Sequence, residues 1–277
     1  GFIVAWRNVD ATKFGSSLAD WGPYLRTTVN RFNASGVLQS SGLLDDGISG
    51  DQRRLLHDLK NLSDGRLFST STAWRDPVLP YHRLVGTFYS ADGTFESEVV
   101  FDNYQRLSPD DVSFAELSDG SIAVISVSYS ETSTAARRGV SINRVSNTGE
   151  VLGSEILLPL QETRYNGSKR FPAIAALSDG GFALSWHDSD TVYLQEFTNN
   201  GVARTDRLTL QSGGHSRSIN ALDGGGYIVS WIAGTNSFVQ QFDANGGTVG
   251  PAVQVNDAPV LNESNAVEVL DSGEILT

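Results

Sequence analysis

The sequence has no cysteine and no methionine among its 277 residues. Without cysteine there can be no disulfides and no thiolate metal sites, so a core, a repeat or bound cations must hold the fold. Basic residues are scarce, with 20 Lys and Arg against 32 Asp and Glu and a net charge of −12. This balance argues against nucleic acid as a partner. No apolar run approaches the length of a membrane span, so membrane insertion is not expected.

A short anchor, Leu-x-x-Gly followed by an apolar strand, recurs along the chain. It reads LSDGRLFSTS from Leu62, LSDGSIAVIS from Leu117, LSDGGFALSW from Leu177, LDGGGYIVSW from Leu222 and LDSGEILT from Leu270. The opening GFIVAW aligns with residues 181–186, so the chain starts and ends in the same strand of the repeat. The approximate repeats are 1–61, 62–116, 117–176, 177–221 and 222–269, with a sixth beginning at 270–277. We therefore expect residues 1–277 to be one repeat domain and a fragment of a longer chain.

The residue pattern of each repeat predicts four strands, which we name a to d. Strand a runs into the anchor, strand b follows it, strand c is an alternating run such as VYLQEF, and strand d comes after a turn containing glycine. The 28 glycines favour such tight turns. Four antiparallel strands in about 45 residues is the period of a propeller blade. The predicted fold is all-β: a β-propeller of repeated four-stranded antiparallel blades, with five periods here. A slice of a larger propeller fits equally well, and a β-sandwich array is a more distant alternative.

The a–b and c–d turns are short, whereas the b–c and d–a connections vary in length. The first repeat inserts RNVDATKFGSSLADWGPYLRT between strands b and c, and LLDDGISGDQRRLLHDLKN between strands d and a. Variable connections on a rigid scaffold often carry function, so we expect ligand binding at this end. The candidate ligand-binding residues are aromatic and basic loop residues, which suit carbohydrate or protein recognition. They are Trp21, Tyr24, Arg26, Tyr81, His82 and Arg83.

Carboxylates offer a candidate calcium site. Asp188 and Asp190 form the tidiest pair, and oxygen-rich loops are what calcium prefers, but no EF-hand spacing is present. A solvated acidic loop is the alternative interpretation. Calcium is the only cofactor that the sequence suggests.

Signals for catalysis are sparse. The four histidines, at positions 57, 82, 187 and 215, show no His-x-x-x-His spacing, and no Gly-x-Ser-x-Gly motif occurs. We therefore expect no catalytic residues. An acid and a base placed by different blades would escape such a search.

The segments PAIAALSDGGFALSW…VYLQEFTNNG and ALDGGGYIVSW…FVQQFDANGGTVGPAVQVN resemble repeats of RTX-type (hemolysin-type calcium-binding) secreted adhesins and related type I secretion substrates of bacteria. The resemblance is close over residues 171–256 and degraded over 1–60 and 62–160. It implies an extracellular or cell-surface bacterial protein whose repeats form a propeller-like module. The Gly-Gly-x-Gly-x-Asp nonapeptide of that family is absent here, so the resemblance does not carry calcium binding to this segment.

Together these features predict a non-catalytic extracellular binding or structural module, acting in adhesion or ligand recognition. Its expected partners are a carbohydrate or protein ligand on a surface, or copies of itself. One alternative is a propeller-fold polysaccharide hydrolase or lyase. Another is a subunit of an extracellular filament or surface layer.

Overall fold

A computed structural model describes residues 2–9, 25–43, 53–74, 82–104, 112–128, 139–160, 172–257, 268–269 and 274–276. All regular elements in these ranges are β-strands. Over the same ranges, no helix is long and apolar enough to cross a membrane. The chain divides into two compact units, one of Gly1–Pro109 with Thr148–Val151 and one of Asp110–Asn147 with Leu152–Thr277. Each unit is described separately.

The first unit holds two antiparallel sheets. Sheet 1 has the order β1 (Phe2–Val9), β2 (Leu25–Phe32) and β3 (Leu38–Leu43). Sheet 2 has the order β4 (Arg53–Asn61), β5 (Leu67–Trp74), β6 (His82–Tyr89) and β7 (Phe95–Tyr104).

The second unit holds three four-stranded antiparallel sheets and a two-stranded ribbon. Sheet 3 consists of β8 (Val112–Glu116), β9 (Ile122–Ser128), β10 (Gly139–Val145) and β11 (Ile156–Pro159). Sheet 4 consists of β12 (Ala173–Ala176), β13 (Phe182–Asp188), β14 (Thr191–Phe197) and β15 (Leu208–Ser212). Sheet 5 consists of β16 (Gly214–Ala221), β17 (Tyr227–Ala233), β18 (Asn236–Phe242) and β19 (Thr248–Gln254), and the ribbon of β20 (Glu268–Val269) and β21 (Ile275–Leu276).

The predicted all-β class and the four-stranded antiparallel repeat are confirmed in sheets 2 to 5. In each of them the strands follow one another in chain order, as strands a to d of one repeat. One predicted loop is wrong: the d–a insertion of the first repeat contains strand a of sheet 2, because β4 spans Arg53–Asn61. The predicted b–c loop of that repeat is also shorter than expected, since β1 extends to Val9 and β2 begins at Leu25.

One turn type closes eight of the described a–b and c–d hairpins. In eight described turns, the N–H of the first residue donates to the carbonyl of the fifth, and the N–H of the fourth, a glycine, donates to the carbonyl of the first. The eight turns are 33–37, 62–66, 90–94, 117–121, 177–181, 198–202, 222–226 and 243–247. The glycine φ values lie between 76° and 94°, which a side chain resists. This is the three-residue hairpin loop with a bulge, and it explains the Leu-x-x-Gly anchor.

The repeated tryptophan position lies in the core of the second unit. Trp186 and Trp231 are 1% and 2% exposed. Trp186 belongs to a cluster with Ile125 and Ile142 of sheet 3, whereas Trp231 packs with Leu194 of sheet 4. Each tryptophan therefore joins its own sheet to the preceding one, as its repetition predicts.

A second repeated contact uses the residue just before the last position of strand c, which we call the bridging position. In the second unit, Arg144 of sheet 3 donates to Asn199 in the c–d turn of sheet 4 at 2.7 Å. Glu196 of sheet 4 lies against Gly246 in the c–d turn of sheet 5. In the first unit, Arg31 of sheet 1 lines one small pocket with Asp92 and Gly93, in the c–d turn of sheet 2. Neighbouring sheets within each unit are thus coupled by equivalent residues.

Candidate functional site

The two ends of the sheets differ in how their strands are joined. At the a–b and c–d end, eight described connections are the uniform turns given above, and the c–d connection of sheet 3, between Val145 and Ile156, is longer. At the other end, Ser189 and Asp190 alone join β13 to β14, whereas residues 10–24 separate β1 from β2. We call this second end the variable end. Of the residues singled out from the sequence, Arg26, His82 and Arg83 lie at this end of their sheets in the first unit, and Asp188 and Asp190 lie at this end of sheet 4 in the second.

The predicted ligand-binding residues are placed only in part. Trp21, Tyr24 and Tyr81 lie outside the described residues. Three others belong to strands rather than to loops, which corrects their predicted placement. Arg26 lies in β2 opposite Asn8, and His82 and Arg83 begin β6 opposite Trp74 and Ala73. Their backbones therefore sit on the sheet scaffold, at the margin of the variable end.

The predicted carboxylate pair occupies a tight hairpin at the variable end of sheet 4. Asp188 is the last residue of β13 and is 2% exposed, whereas Asp190 is exposed. Between them, Ser189 adopts a φ of 55°, in the left-handed region that non-glycine residues rarely enter. The carbonyl of Asp190 accepts the N–H of Gly214 at 2.9 Å. Among the described residues, no group of three His, Asp or Glu side chains is arranged to hold a metal ion. Calcium at this pair therefore stays a prediction.

Two histidines meet beside this hairpin, and the sequence did not predict their contact. The rings of His187 and His215 are 4.7 Å apart between centroids and nearly perpendicular, at 89°. His187 comes from β13 and is fully buried, whereas His215 comes from β16 of the next sheet. The hydroxyls of Ser185 and Ser216 also contact each other between these sheets. Strand b of sheet 4 packs against strand a of sheet 5, and this packing between sheets brings together two histidines that are distant in the sequence.

The tight-turn end carries ion pairs that brace the turns themselves. Arg204 binds the Asp179 carboxylate, which also accepts the N–H of Gly181. Partial burial raises the pKa of Asp179, but the Gly181 and Arg204 hydrogen bonds and the Arg204 charge outweigh it and lower that pKa below its ordinary value. Arg66 similarly contacts Asp64 at 2.8 Å. These contacts serve hairpin and sheet packing.

Neither protein-family models nor curated proteins match the sequence. Solved structures do show a similar fold. A protein of unknown function from Bacteroides caccae shares 14% identity at a TM-score of 0.53, covering 99% of this chain and 82% of its own. A Lactobacillus plantarum protein and a candidate 6-phosphogluconolactonase from Bacteroides uniformis each share 12% identity, with TM-scores of 0.56 and 0.57. For both, the match covers 98% of this chain and 73% of theirs. At such identities the likeness concerns the fold alone.

Proposed function

We propose that this chain is a non-catalytic binding module of a secreted or surface-attached bacterial protein. Its sheets are blades of a propeller, and it recognises a carbohydrate or protein ligand at the variable end. The observation that carries the proposal is the contrast between the two ends. The tight-turn end repeats one hairpin type and one bridging contact, whereas the connections at the variable ends range from a single residue, Gly213, to the fifteen residues 10–24.

The proposed contacts divide into an aromatic group and a basic group. Trp21, Tyr24 and Tyr81 would supply broad contact area with few rotatable bonds. Arg26, His82 and Arg83 would supply hydrogen-bond donors from the strand ends beside them. The resemblance to secreted adhesin repeats supports a role at the cell surface, and a calcium ion held near Asp188 and Asp190 would lie at the variable end of sheet 4 in the second unit.

The test is retention of immobilised glycans and surface proteins by the full chain, with and without calcium. Replacing Trp21 and Tyr81 together by alanine should abolish retention while leaving the melting temperature nearly unchanged. The matched control is the Val37→Ala/Leu38→Ala double variant, which removes exposed apolar side chains from the opposite end. Equal retention by all three proteins would refute the proposed site. Turnover of a bound glycan would replace the binding role with that of a hydrolase or lyase.

A further inference from the structure

An open groove of about 690 Å³ lies in the second unit, between the outer strands of sheet 3 and the c–d turn of sheet 4. The described residues that line it are largely aliphatic and include the polar side chains of Arg144 and Asn200, and none of them is aromatic. The aliphatic residues are Ile142, Leu152, Ile156 and Val202. Val202 is 64% exposed. The volume falls within the range of ligand pockets.

Arg144 lines the groove with hydrogen-bonding capacity to spare. Its Nη2 donates to Asn199 at 2.7 Å and to Ser121 at 3.1 Å, with the Asp119 carboxylate more distant at 3.6 Å. Its Nη1 makes one long bond of 3.4 Å to Asn200. Its Nε is buried and has no partner among the described residues. A guanidinium has five N–H donors, so a further acceptor can still be accommodated.

The first unit contains the equivalent position, and it is built differently. Arg31 occupies the bridging position of sheet 1, as Arg144 does in sheet 3. In the c–d turn opposite Arg31, Asp92 and Gly93 stand where Asn200 and Gly201 stand opposite Arg144. The negative charge of Asp92 acts on the Arg31 guanidinium. The pocket there has a volume of only about 30 Å³.

The surroundings of Arg144 differ from those of Arg31 in two ways. Opposite Arg144 an amide stands in place of the carboxylate, and the groove beside Arg144 has more than twenty times the volume of the pocket beside Arg31. A carboxylate would pair with arginine more strongly than a neutral amide does. The groove thus offers an arginine without an acid across the gap, surrounded by aliphatic walls.

We propose that this groove binds an aliphatic carboxylate, whose acid group takes the place that Asp92 holds opposite Arg31. The carboxylate accepts hydrogen bonds from Arg144 at Nη1 and from the Asn200 amide, and the aliphatic body lies along Ile142, Leu152 and Ile156. A free organic acid and an acidic peptide with aliphatic neighbours share this chemistry. The inference is independent of the proposed function, because the groove borders a tight turn rather than the variable end.

The test is titration of the full chain with hexanoate, followed by amide chemical shifts in a two-dimensional NMR spectrum. We expect saturable shifts at Gly153, Gly201 and Val202. Hexan-1-ol and hexylamine keep the alkyl chain but lack the carboxylate. Their affinity should be lower than that of hexanoate by about tenfold or more, since a charge-assisted hydrogen bond is lost. A second titration with acetyl-Val-Val-Asp-amide distinguishes the sources: tighter binding than hexanoate indicates a peptide, and weaker binding a free acid.

The decisive variant is Asn200→Asp, which restores the acid found opposite Arg31. It should lose hexanoate binding by about tenfold or more while its melting temperature stays equal or rises. Arg144→Gln should lose binding as well, although it also removes a contact between sheets. Undiminished binding by Asn200→Asp, equal binding of hexan-1-ol, or no saturable shift with either carboxylate would each overturn the proposal.

Discussion

The hydroxyl of Tyr227 donates a 2.7 Å hydrogen bond to Oε1 of Glu196, and this bond joins sheet 5 to sheet 4. Glu196 is only 3% exposed, so its carboxylate has lost most of its contact with water and depends on protein donors. Gly246 approaches the same carboxylate so closely that a Cβ would collide with it. Glu196 holds the bridging position of its sheet, and this polar contact lies beside the apolar cluster that contains Tyr227, Val229 and Trp231.

Replacing Tyr227 by phenylalanine should destabilise the second unit by about 1–3 kcal/mol, because a buried carboxylate loses a donor while the ring packing is kept. The ring would still stack on Phe242, at 5.0 Å between centroids. Urea unfolding measures the change. Tyr193→Phe is the matched control, since it removes a tyrosine hydroxyl from a half-buried ring that packs against Trp186 in the same unit, and it should change stability by less than about 0.5 kcal/mol. Equal stability of the two variants would contradict the assignment.

Stability should also fall at alkaline pH through Tyr227. Burial, followed by the hydrogen bond and charge of Glu196, raises the pKa of Tyr227 above its ordinary value of 10. A group whose pKa is raised on folding contributes stability below its unfolded pKa and loses it as pH rises above that value. The wild-type protein should therefore lose stability above pH 10 more steeply than Tyr227→Phe. Parallel urea midpoints for the two proteins between pH 9 and pH 11 would argue against this linkage.

Much of the fold could be predicted from the sequence because local patterns determine it. The Leu-x-x-Gly anchors became hairpin turns since only glycine adopts their fourth position easily, and strands such as FALSW and YIVSW became central strands of their sheets. Strand β4 was missed. Its register shifts between Leu56 and Asp58, and that bulge breaks the alternation of period two that marks a strand.

The candidate sites could be predicted less well, because they depend on pairs of sheets. Nothing near Arg144 in the sequence indicates that it faces Asn199 and Asn200, more than fifty positions away. The contact of His187 with His215 likewise requires the packing of β13 against β16. A repeat alignment gives equivalent positions, but the width of each gap between sheets follows from side-chain packing that no single repeat encodes.

The glycine after the anchor in sheet 5 should be intolerant of substitution. Gly226 has a φ of 79°, and a Cβ there would collide with the carbonyl oxygen of Phe242. Gly226→Ala should therefore cost about 3 kcal/mol or more in unfolding free energy, since the backbone must move. Gly213 is the control in the same unit: its φ is 74°, but its Cβ would meet nothing within 4 Å. Gly213→Ala should cost only about 1 kcal/mol, and equal losses would show that conformation alone, not the close approach, determines the effect.

The turn of sheet 2 offers a direct test of hydrogen bonding to an exposed carboxylate. Hydrogen bonds from the Ser90 hydroxyl and from Thr94 lower the pKa of Asp92 to about 2, from an ordinary value of 3.8. A group whose pKa is lowered on folding contributes stability above its unfolded pKa and loses it as pH falls through the folded value, here between 3.8 and about 2.

Because Asp92 is fully exposed, its own titration is a better readout than unfolding. Ser90→Ala should move the NMR midpoint of the Asp92 carboxyl upward toward 3.8. Ser35→Ala, which alters the corresponding turn of sheet 1, should leave it in place. A midpoint that is the same in all three proteins would show that Ser90 does not set this pKa.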